Sequence, residues 1–171
     1  MNYFEFYGLS PSLAPDPELL KKKFLEASRK HHPDHFVLKP ELEKEEAEEW
    51  SAFNNKAYRT LSNPDLLFKY ILELKGLTGE GEGDQSGLSQ EFLMEMMDIH
   101  DLILEDPVKA DLQLEAAENS IRAEIDPLIL HFDFDKASGA ELESLKEYYF
   151  KRRYILRLRE NLNKFAADQR P

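Results

Sequence analysis

The chain has 171 residues, a net charge of −12 and no cysteine. Its length suits one ordinary domain or two small ones with thin cores, and two is the reading adopted. The acidic balance disfavours nucleic acid as a partner, since neutralising phosphates needs an excess of Lys and Arg, and the missing thiols exclude disulfides, thiolate metal ligands and a cysteine nucleophile. No apolar run approaches the ~18 residues of a membrane span, and no basic stretch followed by an apolar segment opens the chain. A soluble, cytoplasmic protein with protein partners, and with no membrane association, is expected.

Helix signals run the length of the sequence and no segment sustains an alternation of β-branched residues, so the fold class is all-α. Asn2 to Leu9 form a short aromatic-rich element ended by Gly8 and the Ser10-Pro11 pair. Asp16-Pro17 then pairs an N-cap residue with proline at the first helical position. From there Leu20, Phe24, Ala27 and His31 recur at i, i+4, i+7 and i+11 on one helix face. Pro33 ends this helix, because proline drives the residue before it out of the α region. After a loop to about Pro40, a second long helix is expected at about Glu41 to Leu61. Its first turns carry six glutamates in nine residues, solvated and favourable to the helix dipole, and its later turns place Trp50, Phe53, Ala57 and Leu61 on a core stripe. Asn63-Pro64 breaks it, and a shorter helix runs through Leu74 to a stop at Gly76.

Residues 76–87, GLTGEGEGDQSG, hold five of the seven glycines and read as a flexible linker between domains at 1–75 and 88–171. Ser89 caps the next helix, which ends near Glu105. Asp106-Pro107 starts another, which Pro127 should kink or split, and Ser138 with Glu141 forms a capping box before a last helix to about Phe165. Short connections between these three imply an antiparallel three-helix bundle.

Two stretches carry chemistry. The run His31, His32, Pro33, Asp34, His35 offers imidazoles and a carboxylate, suited to a metal site or an acid/base centre. Neighbouring positions at a helix end rarely converge on one ion, however, and the bland reading is a helix C-terminus with a favourable dipole partner and a proline stop. In SQEFLMEMMDIHDLILED, Phe92, Met96, Ile99 and Ile103 form a core face, while Leu93, Met97 and Leu104 lie about 100° round and Met94 further still. No Lys or Arg occurs between Lys75 and Lys109, and Asp98, Asp101 and Glu105 stand beside Met94 and Met97. A methionine-containing apolar patch edged by carboxylates suits an adaptable protein-binding surface, and the bland reading is that these methionines are bundle core. His100 and His131 read as partly buried helix residues rather than ligands. Lys151, Arg152, Arg153, Arg157 and Arg159 read as partners for acidic helices of the same molecule.

A basic helix with Lys21, Lys22, Lys23, Arg29 and Lys30 leads into His32-Pro33-Asp34, and the helix after it carries Asn55, Ala57, Tyr58 and Leu61. With Tyr3-Phe4 ahead of Gly8-Leu9, this resembles the J-domain of DnaJ-type co-chaperones, in which a His-Pro-Asp tripeptide joins two antiparallel helices and stimulates ATP hydrolysis by a DnaK-type chaperone. The stretch NNKAYRTLSNPDLLFKYILELKG, followed by the linker and EFLMEM, is similar to the HscB family over about residues 1–167. That family joins an N-terminal J-domain helical hairpin to a C-terminal three-helix bundle that binds the iron-sulfur scaffold protein IscU. The chain departs from the family where Leu67 and Phe68 replace an arginine often found there, and from general J-domains at Leu25 and Glu26, where many carry basic residues.

The resemblance implies a co-chaperone of iron-sulfur cluster assembly that is not an enzyme and needs no cofactor. An HscA- or DnaK-type ATPase would meet His32, Pro33, Asp34, Lys21, Lys22 and Arg29. An IscU-type scaffold would meet Leu93, Met94, Met97, Asp98, Asp101 and Glu105, with Tyr154 matching an aromatic on the last helix. Such a protein changes its partner's conformational equilibrium by binding one state better than another. Two other readings stay open: a J-domain co-chaperone with a different client, and a metal-dependent hydrolase built on the histidine cluster.

Overall fold

The computed structural model describes residues 1–77 and 87–168. Seven α-helices and one 3-10 turn make up the described residues, with no strand among them. They fall into two compact units, Met1–Ile71 with Phe132–Lys136, and Leu72–His131 with Ala137–Pro171. Most of the glycine-rich segment read as a linker, residues 78–86, lies outside the described residues.

The first unit begins with α1 (Tyr3–Tyr7), held by a capping box between Asn2 and Glu5 and closed by Gly8, whose φ of 64° only glycine adopts without strain. Helix α2 (Pro17–Lys30) starts where the Asp16 side chain accepts from the amides of Glu18 and Leu19. A 3-10 turn (Pro33–Phe36) and a short loop lead to α3 (Glu41–Ser62), and α4 (Pro64–Leu74) follows a single residue later. Helices α2 and α3 run antiparallel: Phe24 stacks on Tyr58 at 4.4 Å and His31 lies against Trp50 at 5.7 Å, so residues advance along one helix as they recede along the other. Phe4, Leu20, Ala57, Leu61 and Ile71 are all but inaccessible to solvent, each larger one contributing about 1.5–3 kcal/mol of burial. Leu67 and Phe68 belong to this core, which accounts for apolar residues at those positions.

One polar side chain is buried here. Asn54 of α3, 1% exposed, accepts from the Tyr7 hydroxyl at 2.8 Å and donates through Nδ2 to the Phe24 carbonyl at 3.2 Å and Ser28 Oγ at 2.9 Å. It thereby ties α1, α2 and α3 together with directional bonds inside an otherwise apolar core. The Tyr7 phenol, pushed well above its ordinary pKa by burial and then by Tyr58, stays protonated and donates. The stripe expected on α3 is correct at Ala57 and Leu61 but not at Trp50, which is 37% exposed and stacked on Phe6 at 5.8 Å. Trp50 stands opposite His31, where α2 has already ended, so α2 does not cover it.

The second unit packs α5 (Gln90–Glu105), α6 (Pro107–His131) and α7 (Gly139–Asp168) against one another. Ser89 caps α5, and Ser138 with Glu141 forms the expected capping box at α7: the Glu141 amide donates to Ser138 Oγ at 3.2 Å and the Ser138 amide to Glu141 Oε2 at 2.8 Å. The Ser138 amide and then the Ser138 hydroxyl, which also donates to Glu141 Oε2 at 2.8 Å, hold the Glu141 carboxyl below its usual pKa. Arg152 with Glu118 and Arg159 with Asp111 cross-link α6 and α7 in antiparallel register. The core is Met96, Ile99, Leu114, Leu145, Phe150 and Ile155 with their neighbours. Pro127 does not split α6, which continues to His131. It falls in the penultimate turn, and the buried Ile121 and Ile125 hold the helix against its neighbours there.

Candidate functional site

Each unit presents a surface that its own packing does not use. On the first unit it is the end of α2 and the turn after it. Leu20, Phe24, Ala27 and His31 occupy the inward face, which leaves Lys21, Lys22 and Arg29 exposed within an arc of about 100° on the other side. Lys23 and Lys30 do not share that arc; they line a groove with Phe6, Tyr7 and Glu26. Leu25, 43% exposed, sits in the middle of the basic arc, an apolar centre that charge counting passes over.

At the turn, His32 is the N-cap of the 3-10 segment and Pro33 is its first residue. The Asp34 amide donates to His32 Nδ1 at 3.3 Å, which leaves Nε2 as the proton-bearing nitrogen. The Asp34 carboxylate stands 3.6 Å from the same Nδ1, and both side chains are exposed, 54% and 83%. The turn therefore offers one N–H donor and one carboxylate in fixed relation. His35 lies 5.9 Å away, ring to ring. Among the described residues no group of three His, Asp or Glu is arranged to hold a metal ion. His31 is half-buried against Trp50, and desolvation followed by the neighbouring Lys30 lowers its pKa. Just beyond the turn, Val37 and Leu38, and Leu42 in the first turn of α3, are exposed, Leu38 almost completely; for Val37 and Leu38, outside any helix, there is no periodicity by which the sequence could mark them.

On the second unit the surface is the outer arc of α5. Phe92, Met96, Ile99 and Ile103 are buried, as their spacing requires, while Met94 and Met97 stand 67% and 63% exposed. These two methionines are not bundle core. Leu93 is half-buried beside them, and Asp98, Asp101 and Glu105 line an open groove with Gln113 and Ala116 of α6. Leu104, also exposed, shares the arc at seven residues from Met97 and three from Asp101. Tyr154 of α7 meets Phe92 edge-on at 6.1 Å, with the Arg157 guanidinium 4.6 Å from its ring centre. His100 and His131 are helix residues, but exposed rather than partly buried. His131 ends α6, where the dipole favours it without burial. Three basic residues of α7 face α6 as expected: Lys151 approaches Glu124, Arg152 binds Glu118 at 2.6 Å, and Arg159 bridges Asp111 and Glu118; Arg153 and Arg157 are exposed and lie instead over the rings of Tyr149 and Tyr154.

Residues 88–163, which contain this surface, match the family described as the HSCB C-terminal oligomerisation domain. The co-chaperone protein HscB homolog of Vibrio vulnificus is 35% identical over 113 residues, 66% of this chain and 66% of its own length. That of Acinetobacter baylyi is 31% identical over 169 residues, which is 99% of this chain and 92% of the relative. The chain belongs to the HscB co-chaperone family. The HscB fold extends over the whole molecule: chaperone HscB from Vibrio cholerae superposes with a TM-score of 0.71 at 23% identity, covering 98% of this chain and 99% of that one. Human co-chaperone protein HscB gives 0.76 at 23% identity, covering 95% and 81%. No helix among the described residues is long and apolar enough to cross a membrane.

Proposed function

We propose that this HscB-family member is a co-chaperone of iron-sulfur cluster assembly, acting without chemistry of its own. Its first unit is a J-domain that engages an HscA- or DnaK-type ATPase through His32, Pro33, Asp34, Lys21, Lys22 and Arg29, and accelerates ATP hydrolysis there. Its second unit holds an IscU-type scaffold on Leu93, Met94, Met97, Asp98, Asp101, Glu105 and Tyr154 and brings it to the ATPase. The observation that carries the reading is the exposed face of α5, where two methionines stand in solvent between carboxylates while the opposite face fills a bundle core. An apolar, flexible centre with a charged rim is what a recognition surface for a basic-edged partner needs. The turn at His32 contributes a donor and an acceptor at fixed spacing, and the basic arc of α2 steers an acidic partner. Self-association of residues 88–163 belongs to the same reading, since the matched family is described as an oligomerisation domain.

Pull-down of a purified IscU-type scaffold by the wild-type chain and by Met97→Ala, with ATP turnover of the chaperone measured in parallel, tests the reading. Scaffold capture that fails with wild type, while turnover is still stimulated, would leave a J-domain co-chaperone with a different client.

A further inference from the structure

Two tight turns follow α2 in succession. The first, closed by the His35 amide on the His32 carbonyl at 3.0 Å, carries His32, Pro33 and Asp34. The second is closed by the Lys39 amide on the Phe36 carbonyl at 2.9 Å, which puts Val37 and Leu38 at its two central positions. Exposed turns favour Gly, Pro, Asn, Asp and Ser there, each for a reason of backbone geometry or local hydrogen bonding. Val and Leu answer none of those needs. Neither fills the core instead: Leu38 is 99% exposed and Val37 62%. The apolar exposure continues at Leu42 in the first turn of α3. Lys39, the one cation of the second turn, reaches back to Glu43 at 3.6 Å, which leaves the tip uncharged.

We propose that Val37 and Leu38 are a further contact for the ATPase that the tripeptide engages, an apolar tip that seats in an apolar depression beside the partner's acidic groove. The proposal rests on the co-chaperone reading above and adds a part to its first site. Residues that break the local rules of their element without serving the core mark a functional surface. Their place in the chain says which one. Val37 is the C-cap of the 3-10 segment that begins at Pro33, three residues and at most about 11 Å of chain from Asp34. A standard interface of roughly 800 Å² per partner is about 30 Å across, so a partner seated on the basic arc and on His32 extends over the tip as well.

The chemistry of the first site requires such a contact. Lys21, Lys22 and Arg29 are exposed, and exposed charges speed encounter while adding little to the lifetime of a complex. Desolvated apolar contacts set how long two proteins stay together. The basic arc and the turn at His32 bring the ATPase in and orient it, and the tip at Leu38 holds it there.

The test is ATP turnover of a purified HscA-type chaperone, and of a DnaK-type chaperone in parallel, against increasing concentrations of the wild-type chain and of variants at position 38. Leu38→Ser should need at least about tenfold more protein for half-maximal stimulation and still reach the wild-type plateau, because the tripeptide is intact. Leu38→Met, of similar volume, should stay within about twofold. Leu38→Lys separates two physical accounts by sign. On a surface that works by charge alone, an added cation lowers the half-maximal concentration, whereas a cation forced into an apolar seat raises it. The urea midpoint of the first unit, read from Trp50 fluorescence, should not move in any of them, since Leu38 has almost no contact with the fold. Superimposable curves for wild type and Leu38→Ser, or stronger stimulation by Leu38→Lys, overturn the proposal. So does a Leu38→Ser chain that stimulates normally but captures less scaffold, which would give the tip to the scaffold. A wild-type chain that stimulates neither chaperone overturns the co-chaperone reading and this contact with it; that failure appears without any variant, so the two are told apart.

Discussion

The Asn54 knot yields a sharp prediction about what holds the first unit together. Replacing Asn54 with alanine removes three side-chain hydrogen bonds, to the Tyr7 hydroxyl, the Phe24 carbonyl and Ser28 Oγ. At about 1 kcal/mol net for each, with a little more for the vacated volume, the loss is about 2–4 kcal/mol. It is not larger, because the Tyr7 hydroxyl keeps a second acceptor at 3.1 Å, the main-chain carbonyl of residue 54, which alanine also has. For a unit this small, with stability on the order of 5 kcal/mol, that is a large fraction. Trp50 is the sole tryptophan and belongs to this unit, so its fluorescence during urea unfolding reports the first unit separately from the bundle. Tyr7→Phe should cost less, about 1–2 kcal/mol, and the two substitutions together should fall short of additivity by about 1 kcal/mol, because each breaks the same bond. If Asn54→Ala shifts stability by under about 0.5 kcal/mol, or if the pair is strictly additive, the network is not what ties α1 and α2 to α3.

Three further outcomes are expected. His32→Gln should abolish stimulation of the chaperone's ATPase while Trp50-monitored stability stays within about 0.5 kcal/mol, because the side chain is exposed at the turn; stimulation that persists would show the tripeptide to be incidental. His31 has its pKa lowered in the folded chain, so folding favours the neutral ring: stability is complete above the ordinary value of 6.5 and is lost as pH falls through the lowered folded value. The urea midpoint of the first unit should therefore drop on acidification from about pH 7.5 to 5, and drop less in His31→Gln; equal acid sensitivity in both would assign the effect to other groups. Met97→Ala should raise the scaffold off-rate at every salt concentration, by about 1–2 kcal/mol in affinity, whereas changing Asp98, Asp101 and Glu105 to their amides should slow association mainly at low ionic strength. Stopped-flow rates at several salt concentrations separate the two, and a Met97→Ala bundle that unfolds would contradict the exposure of that side chain.

What could be read from the sequence was whatever depends on angle along one helix. The burial of Phe92, Met96, Ile99 and Ile103, and the exposure of Met94 and Met97 opposite, follow from 100° per residue alone. So do the caps at Asp16, Ser89 and Ser138, which are local bargains between a side chain and its own next turn. What failed to show depends on where a neighbouring helix stops. Trp50 shares the stripe of Ala57, yet α2 ends before reaching it, and nothing in residues 41–62 encodes that. Nothing local marks Asn54 as a buried residue, because its partners are 26 to 47 residues away in the chain. Pro127 broke no helix because the cost of one missing amide is offset by apolar side chains that α7 buries. Leu38 and Val37 stand on a turn, where no period exists to show which way a side chain faces.

In the function proposed above, charge would let one small acidic chain serve two partners without confusing them. Three cations of α7, Lys151, Arg152 and Arg159, are engaged by Glu124, Glu118 and Asp111 of α6. Among the described residues Asp98 and Glu105 have no such cation, so the negative field of α5 reaches solvent. On the first unit the reverse holds: Lys21, Lys22 and Arg29 are exposed on α2 with their charge uncancelled by any ion pair among the described residues. The two recognition surfaces thus carry opposite signs. A partner steered to one is repelled by the other, so neither competes for the wrong site, while salt weakens both encounters together. In the function proposed above, a scaffold held on α5 would reach the chaperone without depending on its own free diffusion, because the chain carrying it would have its own attraction to that chaperone through α2.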